Sequence, residues 1–177
     1  MLKACAGQSR RRHRLRPYAG ELHLPNAGRL FDLKEVVGHL PSMKAILYTD
    51  GGCSGNDQLD LSKRKMIAAV SDEQGTILID KHEEGGSNNI AELLAVKEAL
   101  LWCVANKIGD VEIRTDSRNN LAWVLGKKVG KKINDRDAVL ALKTSIDACR
   151  SQLALSLKWI PREQNLAGHY IEQKYQL

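Results

Sequence analysis

The 177-residue chain lacks any apolar run near the ~18–20 residues of a membrane span, and no hydrophobic stretch follows its start as in a secretory signal. A soluble, intracellular and cytoplasmic protein without a membrane partner is therefore expected. Its four cysteines, Cys5, Cys53, Cys103 and Cys149, include no CxxC pair, which argues against a zinc site or a disulfide framework and predicts reduced thiols. Acidic residues are missing before Glu21, while Arg10, Arg11, Arg12, Arg14 and Arg16 crowd the same segment. Such a start reads as a solvated appendage or as an organelle transit peptide.

What is present is ordinary for a globular domain: 43% hydrophobic and 27% charged residues, in a chain long enough for one proper core. Residues 1–42 read as a basic N-terminal arm and 43–177 as a single domain. A formal charge of +6 favours a polyanionic partner, and Lys127, Lys128, Lys131 and Lys132 concentrate part of it in one short segment.

Within the domain, MKAILYT is strand-like. MIAAVSDEQGTILID supplies two apolar runs around an Asp-Glu-Gln-Gly turn, so three consecutive strands open the fold. From Ser87 the period becomes helical: Ile90, Leu93, Leu94, Leu100, Leu101 and Val104 form a stripe, with Ser87 or Asn88 placed to cap it. DVEIRTD is a fourth strand, SRNNLAWVL a short helix ended by Gly126, NDRDAVLALKTSIDACRSQL a longer one, ALSLKWI a fifth strand stopped by Pro161, and LAGHYIEQKY a last helix. Helical crossovers between strands call for an α/β fold with a five-stranded mixed sheet and helices on its faces. Trp102 and Trp159, in apolar runs, are expected in the core.

ILYTD and EIRTD both carry an apolar run into Thr-Asp, which puts Asp50 and Asp116 at strand ends, where open α/β sheets build ligand sites. Each aspartate alone is better explained by a turn or a helix cap. Glu92, in the first turns of the intervening helix, changes the balance. Three carboxylates brought together raise one another's pKa and need a cation, and oxygen donors suit Mg²⁺ or Mn²⁺.

YTDGGCSGN, GGSNNIAELLAVKEAL, IRTDS and WIPREQNLAGHYIE, in this order, closely resemble the motifs of type 1 ribonuclease H, over roughly residues 44–172. The resemblance implies a ribonuclease H-like fold and endonucleolytic cleavage of the RNA strand of an RNA–DNA hybrid with two divalent ions, leaving 3′-hydroxyl and 5′-phosphate ends. It implies Asp50, Glu92 and Asp116 as catalytic metal ligands. Gly51, Cys53, Asn56, Asn88, Asn89 and Ser117 match substrate-contacting positions, and Lys127, Lys128, Lys131 and Lys132 match a shortened basic handle. The Asn residues serve equally well as helix caps, although amides can also read a 2′-hydroxyl. No obligate protein partner is indicated, and a monomer is expected.

The sequence departs from the family at the fourth ligand position, usually an aspartate in Asn-x-x-Ala-Asp, where NLAGH puts His169 after Gly168. His169 is expected to act as a metal ligand with a shift toward Mn²⁺, with Glu172 one turn later as a substitute. The competing reading is a solvent-facing histidine on an impaired, hybrid-binding module. A third is another nuclease or strand-transferase of the superfamily.

Overall fold

The computed structural model describes residues 44–55, 57, 58, 60, 63–133 and 135–176. The basic arm, its boundary at residue 42 and the candidate Asn56 lie outside the described residues.

The apolar runs build five strands, β1 Ala45–Ser54, β2 Lys65–Asp72, β3 Ile77–Glu84, β4 Asp110–Thr115 and β5 Ala154–Trp159. They lie in the order β3-β2-β1-β4-β5. The β1–β2 and β2–β3 pairs are antiparallel, whereas β1–β4 and β4–β5 are parallel. The β2–β3 hairpin closes as the Asp-Gly chemistry dictates: Asp72 Oδ1 accepts from the Gln74 and Thr76 amides at 2.9 and 2.8 Å, and Gly75 takes a φ of +81°.

Four helices complete the fold: α1 Asn88–Ala105, α2 Arg118–Val124, α3 Arg136–Arg150 and α4 Leu166–Tyr175. α1 packs on β1 and β2 with α3 on its outer side, while α4 packs on β1 and β2 through Ile67, Ala69, Ala167 and Ile171. Being covered on both faces, β2 reads as the unbroken run Met66–Ser71, all buried. The edge strand β3 instead ends in exposed charges, His82, Glu83 and Glu84, which protect an open edge. The main core joins Leu47, Val70, Leu93, Val96, Leu100, Val111, Ile113, Val139 and Ile146.

Among the described residues no helix is long and apolar enough to cross a membrane, and Cys53, Cys103 and Cys149 are buried free thiols. Three expectations are corrected. α1, lying between the sheet and α3, is buried on several sides through Ala91, Ala95, Ala99 and Cys103, and Leu101 is left exposed. Ser87 occupies the cap position without a side-chain hydrogen bond. Trp159, on the edge strand β5, is 38% exposed rather than buried in the core.

Candidate active site

Asp50 does not end its strand. β1 continues through Gly51, Gly52 and Cys53 to Ser54, paired with β2 throughout, with Asp50 opposite Ala69. Its pairing with β4 stops at Tyr48–Arg114. Asp50 therefore stands just past the end of the parallel pairing, beside the point where β4 releases Asp116, so the expected neighbourhood forms by a different route.

Alternation along β1 sends Gly51 toward α1 and Asp50 toward α4. A Cβ at Gly51 would lie 2.1 Å from the Ala91 carbonyl carbon and 2.2 Å from the Glu92 nitrogen. Gly51 is thus the contact that lets α1 lie against the strand and brings Glu92 to the site. On the other face, a Cβ at Gly168 would lie 3.0 Å from Asp50 Oδ2, so the absence of a side chain there leaves room beside the carboxylate.

The carboxylates are held by amides and a hydroxyl. Fully buried Asn120 donates to Glu92 Oε2 at 3.2 Å and to the Asn89 carbonyl at 3.4 Å. The Ser117 hydroxyl hydrogen-bonds Glu92 and caps α2 by accepting from the Asn120 amide at 3.4 Å. Since Ser117 does the capping, Asp116 is left to the site. Asn165, at the cap position of α4, donates to Asp116 Oδ1 at 2.9 Å and to the Thr49 carbonyl at 3.1 Å, joining β1, β4 and α4. Arg162 Nη1 lies 3.4 Å from Asp116 Oδ2, and its Nε donates to Glu172 at 2.8 Å.

Burial, and then the charge of Asp116, push the Asp50 carboxyl from 3.8 up to about 7; Arg162 pulls it back part of the way. Glu92 is raised chiefly by burial, with Ser117 and Arg162 opposing. Asp50 is only 2% exposed, and its Oδ1 has no hydrogen-bond partner. A buried acceptor left bare costs free energy until a cation or proton meets it.

The donor set, three carboxylates from β1, α1 and the end of β4, suits a hard divalent cation. Among the described residues, no group of three or more His, Cys, Asp or Glu side chains is arranged to hold a metal ion. Asn165 and Arg162 engage both Asp116 oxygens, so Arg162 acts as the cluster's internal counter-charge.

The remaining candidates fall into three groups. His169, on α4 next to Gly168, is half-buried and makes no side-chain hydrogen bond, so the structure does not tie it to the carboxylates. Glu172 is engaged by Arg162 rather than by the cluster. Asn88 is exposed at the start of α1, and Asn89 Oδ1 accepts from Asn119 at 3.5 Å. The Cys53 thiol is buried against the Ser54 and Gly86 carbonyls, which leaves its main chain for any contact. Lys127, Lys128 and Lys131 line a basin of about 510 Å³ together with Arg136 and Lys143, while Lys132 is exposed outside it. Sequence reasoning did not single out Asn120, Arg162 and Asn165 as parts of the site. The only signal was that two of them sit in WIPREQN, beside the strand end.

The RNase H family profile matches residues 42–169. Among solved structures, the fold is similar to the N-terminal RNase H domain of a Mycobacterium tuberculosis protein, solved as a fusion with maltose-binding protein: 22% identity over 72% of this chain and 94% of that one, TM-score 0.56. It is similar to RNase H1 of the halophilic archaeon Halobacterium salinarum, at 18% identity over 76% and 99% of the two chains, TM-score 0.58. It is also similar to LC11-RNase H1, isolated from compost by a metagenomic approach, at 26% identity over 75% and 98%, TM-score 0.51. A search of curated proteins finds no match. With the sheet order, the helices and four motifs in agreement along most of its length, the chain belongs to the RNase H family.

Proposed function

We propose that the protein is an endoribonuclease that hydrolyses the RNA strand of RNA–DNA hybrids with the help of divalent cations, leaving 3′-hydroxyl and 5′-phosphate ends. The observation that carries this reading is the buried Asp50 carboxyl, its Oδ1 without a hydrogen-bond partner, beside Glu92 and Asp116, in a chain of the RNase H family. Asp50, Glu92 and Asp116 would hold Mg²⁺ or Mn²⁺, with His169 as the fourth ligand. Bound divalent ions supply an activated water and stabilise the leaving 3′ oxygen of an in-line displacement. The chain's own residues orient the site: Ser117 and Asn120 fix Glu92, and Asn165 fixes Asp116. Arg162 compensates the carboxylates until a cation replaces it. The exposed amide of Asn88, with Asn56 and Asn89, would recognise 2′-hydroxyls, and the main chain at Gly51, Cys53 and Ser117 would meet the backbone of the hybrid. We place the protein in the cytoplasm, acting as a monomer.

The test is cleavage of labelled RNA–DNA hybrid beside RNA–RNA and DNA–DNA duplexes, in Mg²⁺ and separately in Mn²⁺. Hybrid-only cleavage of the RNA strand is expected. Tight binding without cleavage in either metal would leave a hybrid-binding module, to which the unattached His169 imidazole would point.

His169→Asp tests the fourth ligand. A carboxylate there adds a hard donor, so turnover in Mg²⁺ is expected to rise roughly tenfold, about 1.4 kcal/mol of barrier, with tighter Mg²⁺ binding in a thermal-shift titration. An unchanged metal profile would remove His169 from the site.

Neutralising Lys127, Lys128, Lys131 and Lys132 together is expected to weaken hybrid binding and to flatten its salt dependence. Each lost phosphate contact lowers the log–log slope by about 0.7–0.9. The check is an affinity titration at several salt concentrations, and an unchanged slope would place the segment away from the substrate.

A further inference from the structure

Beside the Asp116 main chain lies a groove of about 470 Å³ lined by Arg118, Leu121, Ala122, Leu125, Lys127 and Trp159. Trp159 closes β5, and its indole N–H donates to the Asp116 carbonyl at 3.0 Å, so the ring is fixed to the same residue that supplies a site carboxylate. The Arg118 guanidinium lies over the ring, 4.6 Å from its centroid. Leu125, at the end of α2, is 60% exposed and Trp159 38%, which makes them two of the three large apolar side chains open to solvent among the described residues. An indole and aliphatic floor with two cations on its rim, and no acid in the lining, is an unusual surface.

Its composition selects the occupant. A flat aromatic face paired with a guanidinium plane stacks bases of any sequence, and the adjoining lysine takes a phosphate. An apolar peptide would cover Leu125 and leave Arg118 and Lys127 without partners. Position supports the same choice: Lys127 also lines the basic basin with Lys128, Lys131, Arg136 and Lys143, so the groove adjoins the lysines at one end and the Asp116 main chain at Trp159.

We propose that the groove formed by Trp159, Arg118 and Leu125 is a nucleotide subsite: one unpaired base, where the strand running past the carboxylates leaves the hybrid, stacks there, and its phosphate meets Lys127. The subsite rests on the nucleic-acid reading above. It adds a stacking contact close to the scissile position, distinct from the phosphate contacts of the lysine basin.

The test uses the full chain carrying Asp50→Asn, so that hybrid is held and not cut, with anisotropy titrations of a fluorescein-labelled RNA–DNA hybrid that carries a single-stranded overhang. Trp159→Leu, Arg118→Ala and Leu125→Asp are each expected to weaken binding by about fivefold or more, the lower end for a lost base stack. Trp159→Phe should restore affinity to within about twofold, since a second aromatic ring still stacks. A series of these hybrids with a single abasic nucleotide in the overhang supplies a readout that a merely structural role would not move: at one position, loss of the base should weaken binding to the protein that keeps Trp159 and have no further effect on Trp159→Leu. Arg118 and Leu125 are exposed on α2, so their variants keep the test decisive if Trp159→Leu fails to fold. Unchanged affinity in all three variants, with no abasic position coupled to Trp159, overturns the subsite and leaves the nuclease reading intact. Self-association abolished by Leu125→Asp, with hybrid affinity unchanged, reassigns the groove to a second copy of the chain. No hybrid binding by the Asp50→Asn protein overturns both readings.

Discussion

Asp50→Asn is expected to abolish hybrid cleavage, by at least about a thousandfold if Asp50 holds the cation as proposed, and at the same time to raise the melting temperature at pH 8 in metal-free buffer. Both effects come from one carboxylate. In the folded chain burial and Asp116 lift its pKa from 3.8 to about 7, so between about pH 4 and pH 7 the native state keeps a proton that the unfolded chain has released. Stability therefore falls as pH rises through that window. Below it both states are protonated and the penalty disappears. At ~1.4 kcal/mol per pH unit, the cost of the ionised group at pH 8 is on the order of 4 kcal/mol, an upper figure because the site relaxes around the charge.

An amide of the same shape carries no such charge, so the variant should melt higher than the wild type at pH 8 by several degrees, at about 2–4 °C per kcal/mol for a chain of this size. The difference should shrink toward pH 4. A divalent cation should raise the wild-type transition by neutralising the carboxylates and should do less for Asp50→Asn. Equal melting temperatures across the pH range would show that Asp50 is solvated and would remove the physical basis for the cation site.

Gly51→Ala is expected to damage fold and site together. The added methyl would stand 2.1 Å from the Ala91 carbonyl carbon and 2.2 Å from the Glu92 nitrogen. Both are helix backbone atoms, which cannot turn aside as a side chain would. The helix has to lift from β1, opening a core in which Leu93, Val96 and Leu100 are buried. Overpacking of a well-filled core commonly costs 1–3 kcal/mol, and a backbone clash of this depth belongs at or above the upper end, about 3 kcal/mol or more. That corresponds to a melting temperature lower by roughly 6–12 °C. Because the same helix carries Glu92, activity should fall even where the variant remains folded. Thermal melts beside single-turnover cleavage at a temperature where the variant is folded separate the two effects. A variant with wild-type melting and cleavage would mean that α1 does not rest on Gly51.

The element order and the carboxylates were legible along the chain because both are local signals. Alternation or helical period within a dozen residues marks each element, and Thr-Asp after an apolar run marks an acid that needs a partner. The extent of β1 was not legible: two glycines after Asp50 read as a turn, and only pairing with β2 through Ser54–Lys65 keeps the strand extended. Nor was the exposure of Trp159, since an apolar run does not tell an edge strand from a central one, and β5 is an edge.

The sequence by itself thus determined the α/β class and singled out three acids, Asp50, Glu92 and Asp116, through hydrophobic period and residue type, which act over neighbouring positions. The tertiary structure alone decided what surrounds those acids. Arg162 reaches Asp116 across 46 positions, Asn165 reaches Thr49 across 116, and Asn120 reaches Glu92 across 28. No spacing rule anticipates such pairs, because each depends on where β1, β4, α2 and α4 come to lie once the core has packed. Desolvation is likewise a property of that packing, and it raises the pKa of an ordinary aspartate to about 7.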